Sequence, residues 1–371
     1  MMEAFGLNNE ILVSGKKFHV QTNYLEPVQK VTATVYEDGK IILKKEVKTN
    51  EDFSRAKINE LVEQTHKELI DELELLFYIS EKVRTIRHAS SNYKLGIVFA
   101  QYNLFNESIR EFKNALEIDP ELSDAYKNLC YVYLKAGDVD NALEIINQGI
   151  EKYPNYPDFR AARGSCLLER KAYVEALHEF NSALEMNADF YQARLKLVIT
   201  LLKTYLENIT DSAIPPLDER KELIINHLQK IERYIDADVL LEVYQYFDDL
   251  KFKEMHDMII DYQYQLDANV DLEHLFYLKF MFGGKGKDDQ YISDYVRALS
   301  NEIEKNPHFA DFRNNLGIAY LIQCRNLFLN ALDEFRQSLK INPNFKKAEK
   351  NLKLAENDGK GFLILLRAIL K

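Results

Sequence analysis

One set of residues recurs at a fixed interval of 34 positions along this chain. Leu95-Gly96 is matched by Leu129-Cys130 and then Arg163-Gly164, and Phe99 by Tyr133 and Leu167. Ser108, Ala142 and Ala176 keep step, as do Phe112, Ile146 and Phe180. Ala115, Gly149 and Ala183 follow, and Pro120 and Pro154 close the first two units. A period of this length marks a solenoid of stacked helical hairpins, because a single unit cannot bury its own apolar face. Such folds offer extended surfaces more often than enclosed pockets.

Three units are clear, at 89–122, 123–156 and 157–190. Each pairs two amphipathic segments across a short turn. Alanine and glycine sit where neighbouring helices cross closely, since a larger side chain would push the helices apart. Pro120 and Pro154 end their helices, because proline cannot continue the hydrogen-bond ladder. Beyond 190 the pattern degenerates through 191–309, with Pro215-Pro216 interrupting a unit and 283–287 forming a Gly/Lys-rich connection. It returns at 310–345 with Leu316-Gly317, Tyr320, Ala331, Phe335, Ser338 and Pro343, with two extra residues between its expected helices. Segment 345–357 reads as a solvating end helix, and 357–360 (Asn-Asp-Gly-Lys) as a breaker.

The start of the chain has another period. Segments 10–13, 17–24, 28–36 and 40–47 alternate apolar and polar residues and are rich in Val, Ile, Thr and Tyr. Asp38-Gly39 predicts a two-residue hairpin turn, and Ser14-Gly15 another. From about 51 to 83, Ile58, Leu61, Val62, Thr65, Leu69, Leu73, Leu76 and Phe77 recur at helical steps, with Thr49 or Asn50 as the expected cap. A lone meander needs a cover, and this helix supplies one while sealing the end of the solenoid. The expected organisation is a ββββα module at 1–85, a helical solenoid at 86–357 and an apolar helix at 358–371.

The repeats resemble the tetratricopeptide repeat family. The Leu-Gly and Tyr of the first helix, the Ala and Phe of the second and the closing Pro carry the likeness, which covers about three quarters of the chain. Arg163 stands where the family has Leu, and the early tryptophan is absent. The resemblance implies a mainly α fold, a right-handed superhelix of helical hairpins behind the small antiparallel meander and its helix. It also implies a non-enzymatic scaffold or adaptor that binds a partner segment in the groove lined by the first helices. On that face the register places Tyr93, Lys94, Ile97 and Gln101, then Lys127, Asn128, Tyr131 and Lys135. Asp158, Ala162 and Ser165 come next, then Gln192, Lys196, Ile199 and Lys203. Lysines would anchor carboxylates and tyrosines supply area at low entropic cost, which predicts a protein partner presenting a peptide or helix with acidic and apolar side chains. The same positions also read as ordinary solvated helix faces. Family members that grip chaperone C-terminal carboxylates use Lys and Asn, then Asn, then Lys and Arg; here only Asn128 fits, and Asp158 would repel a carboxylate. Phe18-His19-Val20-Gln21-Thr22, the Tyr36-Glu37-Asp38-Gly39 turn and Gln64-Thr65-His66-Lys67 resemble a module found ahead of such repeats in bacterial proteins, a likeness that implies no function.

Chemistry beyond binding finds little support. The 283–287 loop is not a phosphate loop, because Gly286-Lys287 is followed by Asp288-Asp289 rather than a hydroxyl residue. Cys130, Cys166 and Cys324 are far apart in sequence, and the eight histidines are scattered, which predicts core thiols in a reducing compartment and neither metal nor cofactor. An enzyme would require a pocket in which His19 and His66 meet. The net charge of −11 opposes nucleic-acid binding. Segment 1–12 has no basic stretch followed by an apolar core, which predicts a cytoplasmic chain. At the other end, 361–371 is apolar at eight of eleven positions but too short to span a bilayer. It reads as a helix tucked on the solenoid, as a partner or oligomerisation tail, or as a membrane contact. The last option makes a peripheral assembly factor of a membrane or envelope complex the alternative to a scaffold. Oligomeric state is open at this level.

Overall fold

A computed structural model describes residues 6–50, 53–267, 272–305 and 310–369. It divides into two compact units, Met1–Asp271 and Leu272–Lys371.

The first unit opens with four strands, β1 (Gly6–Val13), β2 (Lys16–Leu25), β3 (Lys30–Glu37) and β4 (Lys40–Lys48), in one antiparallel sheet of order 1-2-3-4. Ser14-Gly15 (φ 49° and 80°) and Asp38-Gly39 (φ 48° and 79°) make the two tight hairpins, both central residues being left-handed as the turn requires. The β2–β3 link is a short 3-10 turn at Glu26–Val28, so β3 begins two residues later than the alternation suggests. Phe18, Val20, Thr22, Val31, Ala33 and Val35 point to one buried face. Helix α1 (Arg55–Ile86) covers that face with Val62, Leu69, Leu73 and Leu76. Its cap is Ser54, which accepts from the Lys57 N–H at 3.3 Å, rather than Thr49 or Asn50. The physical reason is that Thr49 is still tied to the sheet through its N–H to Gln29 O (2.9 Å).

The far half of α1 belongs to the repeats. Phe77 touches Phe18 on one side and Phe99 on the other, with ring centroids 5.8 and 5.6 Å away. Ser80 donates to the buried Glu111 (3.1 Å), and Lys16 bridges Glu37 (2.8 Å) and the buried Glu107 (2.6 Å), seating the first hairpin on the first repeat.

Three hairpins follow: α2 (Ala89–Gln101) with α3 (Phe105–Ile118), α4 (Ser123–Lys135) with α5 (Val139–Lys152), and α6 (Pro157–Glu169) with α7 (Tyr173–Met186). Their turns share one geometry. Asn103, Gly137 and Lys171, again 34 residues apart, are left-handed at φ 53°, 81° and 59°. The next N–H then reaches back to a carbonyl near the helix end: Leu104 to Phe99, Asp138 to Tyr133 and Ala172 to Leu167, at 2.8–2.9 Å. Within repeats one and three, Gly96 packs under Phe112 and Gly164 under Phe180. In the second, Cys130 and Ile146 occupy the same two places, so a larger first residue is matched by a smaller second one. Arg163, where the register predicts leucine, pairs with the buried Glu179 of α7, which Arg160 also approaches at 3.5 Å.

Helix α8 (Tyr191–Leu206) is buried on nearly every face. The Pro215-Pro216 interruption is held by the fully buried Arg220, whose guanidinium donates to the carbonyls of Pro215 (2.7 Å), Thr204 (2.8 Å) and Ile209 (2.5 Å). Beyond it come α9 (Leu217–Gln229), α10 (Ala237–Asp248) and α11 (Phe252–Asp267). Helix α11, not α10, packs against α8, with Phe252 on Tyr205 at 4.7 Å between centroids.

The second unit contains α12 (Leu272–Met281), α13 (Asp289–Lys305), α14 (Ala310–Ile341) and α15 (Lys346–Ile369). Asp288 caps α13 by accepting from the Tyr291 N–H (3.0 Å) and from Lys285 (2.8 Å). Phe276, Phe280, Ile292, Tyr295, Leu299, Ala319 and Ile322 form its core.

Two expectations are corrected here. Residues 310–345 do not form a hairpin, because α14 passes straight through the expected turn. Asn326, the residue there best suited to a left-handed turn, is instead buried in the helix and donates to Asp289 (2.9 Å). Nor do residues 357–360 break the chain: α15 is continuous to Ile369, and Gly359 lets it approach Phe328, whose ring would lie 2.5 Å from an added Cβ. The apolar segment 361–369 is thus the end of α15; residues 370 and 371 lie outside the described residues. Among the described residues, no helix is long and apolar enough to cross a membrane.

Candidate partner-binding face

The first helices of the hairpins, α2, α4 and α6, stand side by side, each packed on the next. Their buried stripes (Leu95, Val98 and Phe99; Leu129, Cys130 and Val132; Phe159, Cys166 and Leu168) turn inward. The residues between those stripes form the candidate face.

On α2, Tyr93, Lys94 and Ile97 are half-buried. On α4, Lys127, Asn128 and Lys135 are half-buried and Tyr131 is exposed. The two helices are joined across this face. Asn128 Nδ2 donates to Tyr93 Oη at 2.9 Å, and the Tyr93 ring rests 5.8 Å from Phe112. Lys135 Nζ lies 5.1 Å from the Tyr131 ring centroid, a cation–π geometry. Lys127 sits between Asp124 (3.4 Å) and Asp158 of α6 (3.6 Å). The face is therefore internally ordered, with aromatic rings held by neighbours and Lys127 shared between carboxylates.

The expected continuation onto α8 is different. Lys196 and Lys203 are half-buried, but Ile199 between them is 1% exposed and lies in the same core cluster as Met255 and Ile259 of α11. Ile199 is corrected from a surface residue to a core residue, because α11 packs against α8. The register of a regular array carries no information about a later helix folding back in this way.

His19 and His66 do not meet. They lie on opposite faces of the sheet, since β2 alternates: Phe18, Val20 and Thr22 point in, while His19 is exposed and contacts Tyr36 (ring centroids 6.1 Å). His66 is buried under the sheet, Nδ1 at 2.9 Å from Thr22 Oγ1, and burial lowers its pKa. The outer face carries an open concavity of about 490 Å³ lined by Glu10, Lys17, His19, Gln21, Tyr36 and Asp38 among others. Lys17 is there engaged with Glu10.

Cys130 and Cys166 are buried with their Sγ atoms 3.4 Å apart, and the contact with Cys166 together with burial pushes the Cys130 thiol far up. Among the described residues, no group of three or more His, Cys, Asp or Glu is arranged to hold a metal ion. The sequence missed Glu179 as the shared partner of Arg160 and Arg163; the departure from leucine at 163 was the one available sign.

Residues 101–166 match the family model for the tetratricopeptide repeat. No curated protein sequence matches the chain significantly. Solved structures with similar chains include that of MamA, 14% identical, spanning 49% of this chain and 97% of that one with a TM-score of 0.37. Another is YrrB, described as a TPR protein with an unusual peptide-binding site, 18% identical over 51% of this chain and 95% of that one, TM-score 0.33. A third is a thermophilic TPR protein of Thermus thermophilus, TTC0263, 15% identical over 63% of this chain and all of that one, TM-score 0.33.

Proposed function

We propose that this chain, whose residues 101–166 match the tetratricopeptide repeat, is a non-enzymatic scaffold holding a segment of a partner protein along α2 and α4. The observation that carries the reading is the pre-ordered face in which Tyr93 and Asn128 are hydrogen-bonded and Tyr131 is stacked by Lys135. Fixed aromatic rings bind with little further loss of rotamer freedom. Lys94 and Lys135 give this face a cationic edge on a chain of net charge −11, while Lys127 is already shared by Asp124 and Asp158, so the fitting segment is an extended or helical one with acidic and apolar side chains, its acidic groups near Lys94 and Lys135. Ile97 supplies an apolar floor between them. Lys196 and Lys203 would extend the edge at its far end, beyond the buried Ile199.

Cys130 and Cys166, close together and unbridged, fit a reducing compartment, and a cytoplasmic location is part of the proposal. The test is affinity purification from the native cell followed by mass spectrometry, comparing the wild type with Lys127→Glu/Tyr131→Ala/Lys135→Glu. The expected result is a discrete set of proteins lost with the variant and weakened by salt. A set that the variant retains in full refutes the assignment of the face, and no retained protein refutes the scaffold.

A second reading, a peripheral assembly factor at a membrane or envelope, is favoured by one observation: Ile364, near the end of α15, is 67% exposed. It predicts that the full chain co-floats with liposomes; absence of flotation removes it.

A further inference from the structure

Residues 310–345 carry the repeat signature, yet α14 is straight, and this leaves signature residues unpartnered. Leu95, Phe99 and Phe112 are fully buried in the first hairpin, whereas Tyr320 of α14 is 52% exposed. Gly96 and Gly164 each face a phenylalanine, but nothing lies within 4 Å of the place a Cβ would take on Gly317. The straight helix gives these residues another logic. Gly317, Cys324, Ala331 and Ser338 recur every seven positions, and so do Tyr320, Leu327, Glu334 and Ile341. Three- and four-residue steps place both series on one face. It is the face opposite Asn315, Ala319, Ile322 and Asn326, which are buried in the unit's core. Seven of the eight residues are exposed, Leu327 at 69% and Ile341 at 87%, while Ser338 is half-buried.

We propose that this face of α14 pairs antiparallel with α14 of a second copy of the chain, about a two-fold axis beside residue 329. Tyr320 then meets the partner's Ser338, Leu327 the partner's Ala331, and Ile341 the partner's Gly317. Every large apolar side chain on the stripe thus finds a small residue opposite, which is what lets two helices approach closely. Glu334, the one charge among the eight, lays its stem beside the partner's Cys324 with its carboxylate at the rim. Along one side, Gln323, Asn330 and Gln337 supply an uncharged polar border, so the two copies meet without like-charge repulsion. The second copy is the fitting occupant because the stripe is complementary to itself under a two-fold, the commonest symmetry of homo-oligomers. An overlap of about 37 Å along helices ~10 Å wide has a footprint of about 370 Å² per copy, roughly half the ~800 Å² per partner of a standard interface, which fits a weak, reversible dimer.

Sedimentation equilibrium of the full chain across the micromolar range tests this. A reversible dimer is expected. Leu327→Glu should raise its dissociation constant by at least ~100-fold, because a charge would be buried unpaired. Circular dichroism should not change, since Leu327 is exposed in the single chain. Cys324→Ser/Leu327→Cys/Ala331→Cys should form a covalent dimer with copper phenanthroline as oxidant. Wild-type Cys324 should not, since the two copies lie ten residues, about 15 Å, apart along the axis. A chain that stays monomeric overturns the proposal. So does a dimer that Leu327→Glu leaves intact, or one that wild-type Cys324 cross-links to itself, as a parallel pair would.

Discussion

Transplanting the packing of the second repeat into the third would test how the hairpins interlock. At Gly164 an added Cβ would lie 2.7, 2.9 and 3.0 Å from three carbons of the Phe180 ring, well inside the ~3.5–4.0 Å optimum for carbon pairs. Gly164→Cys should therefore destabilise by about 1–3 kcal/mol through overpacking, offset by only a few tenths from leaving glycine in a helix. Phe180→Ile alone should also cost about 1–3 kcal/mol, because the fully buried ring leaves space behind. Together they recreate the Cys130 and Ile146 pair, the thiol taking space the ring gives up, and the cost should fall below about 1.5 kcal/mol. The coupling between the two changes is thus about 1–3 kcal/mol and favourable. Urea unfolding of the full chain under reducing conditions, followed by far-UV circular dichroism, reads each value as a midpoint shift of roughly 0.3–1 M for an m of ~3 kcal/mol/M. A Gly164→Cys chain with an unmoved midpoint would refute the reasoning. So would a double variant no more stable than the worse single one.

Other outcomes follow from buried polar groups. His227 is pushed down to about 4, first by burial and then by Arg194 and Lys230. Its neutral form is favoured on folding, so the stability it contributes is complete above its unfolded pKa of ~6.5 and is lost as pH falls toward 4. After allowance for its partial exposure, the loss between pH 7 and 4 should be about 1–2 kcal/mol, and His227→Gln should flatten it in urea titrations. Arg220→Met strands three carbonyls and should cost about 3 kcal/mol or more, with hydrogen exchange rising first across 209–217. Cys130 and Cys166 should resist alkylation by iodoacetamide until the chain unfolds; fast reaction of either in the native protein contradicts their burial.

Legibility in the sequence followed how local the controlling physics was. Ser14-Gly15 and Asp38-Gly39 announced both hairpins because a two-residue turn depends on little beyond its own φ angles. The three regular repeats were legible because each contact recurs 34 positions on, so one reading was checked three times. Residues 310–345 passed the same check and failed, and the reason is a spacing. Gly96 and Phe112 are 16 residues apart, whereas Gly317 and Phe335 are 18 apart. Eighteen residues make five whole helical turns, which puts glycine and phenylalanine on one side of a straight rod about 27 Å apart. The candidate face on α2 and α4 was legible by register, but its internal pairs were not, because Asn128 and Tyr93 are 35 positions apart. Nothing local told that Ile199 would be covered, since the helix packed against α8 begins 53 positions later, at Phe252.

Helix α1 has a consequence for how the first unit comes apart. In a linear array each repeat is steadied only by its neighbours, so the terminal repeats ordinarily open first. Here the first repeat borders a helix about 48 Å long whose other half is the floor of the sheet, and Lys16 adds an ion pair from the sheet to Glu107. Opening that repeat means prising apart the sheet's own core at Phe77. Opening from this side is thereby suppressed: amide exchange across α2 and α3 should be slower than an ordinary terminal repeat would show, and the face on α2 and α4 lies at the guarded end.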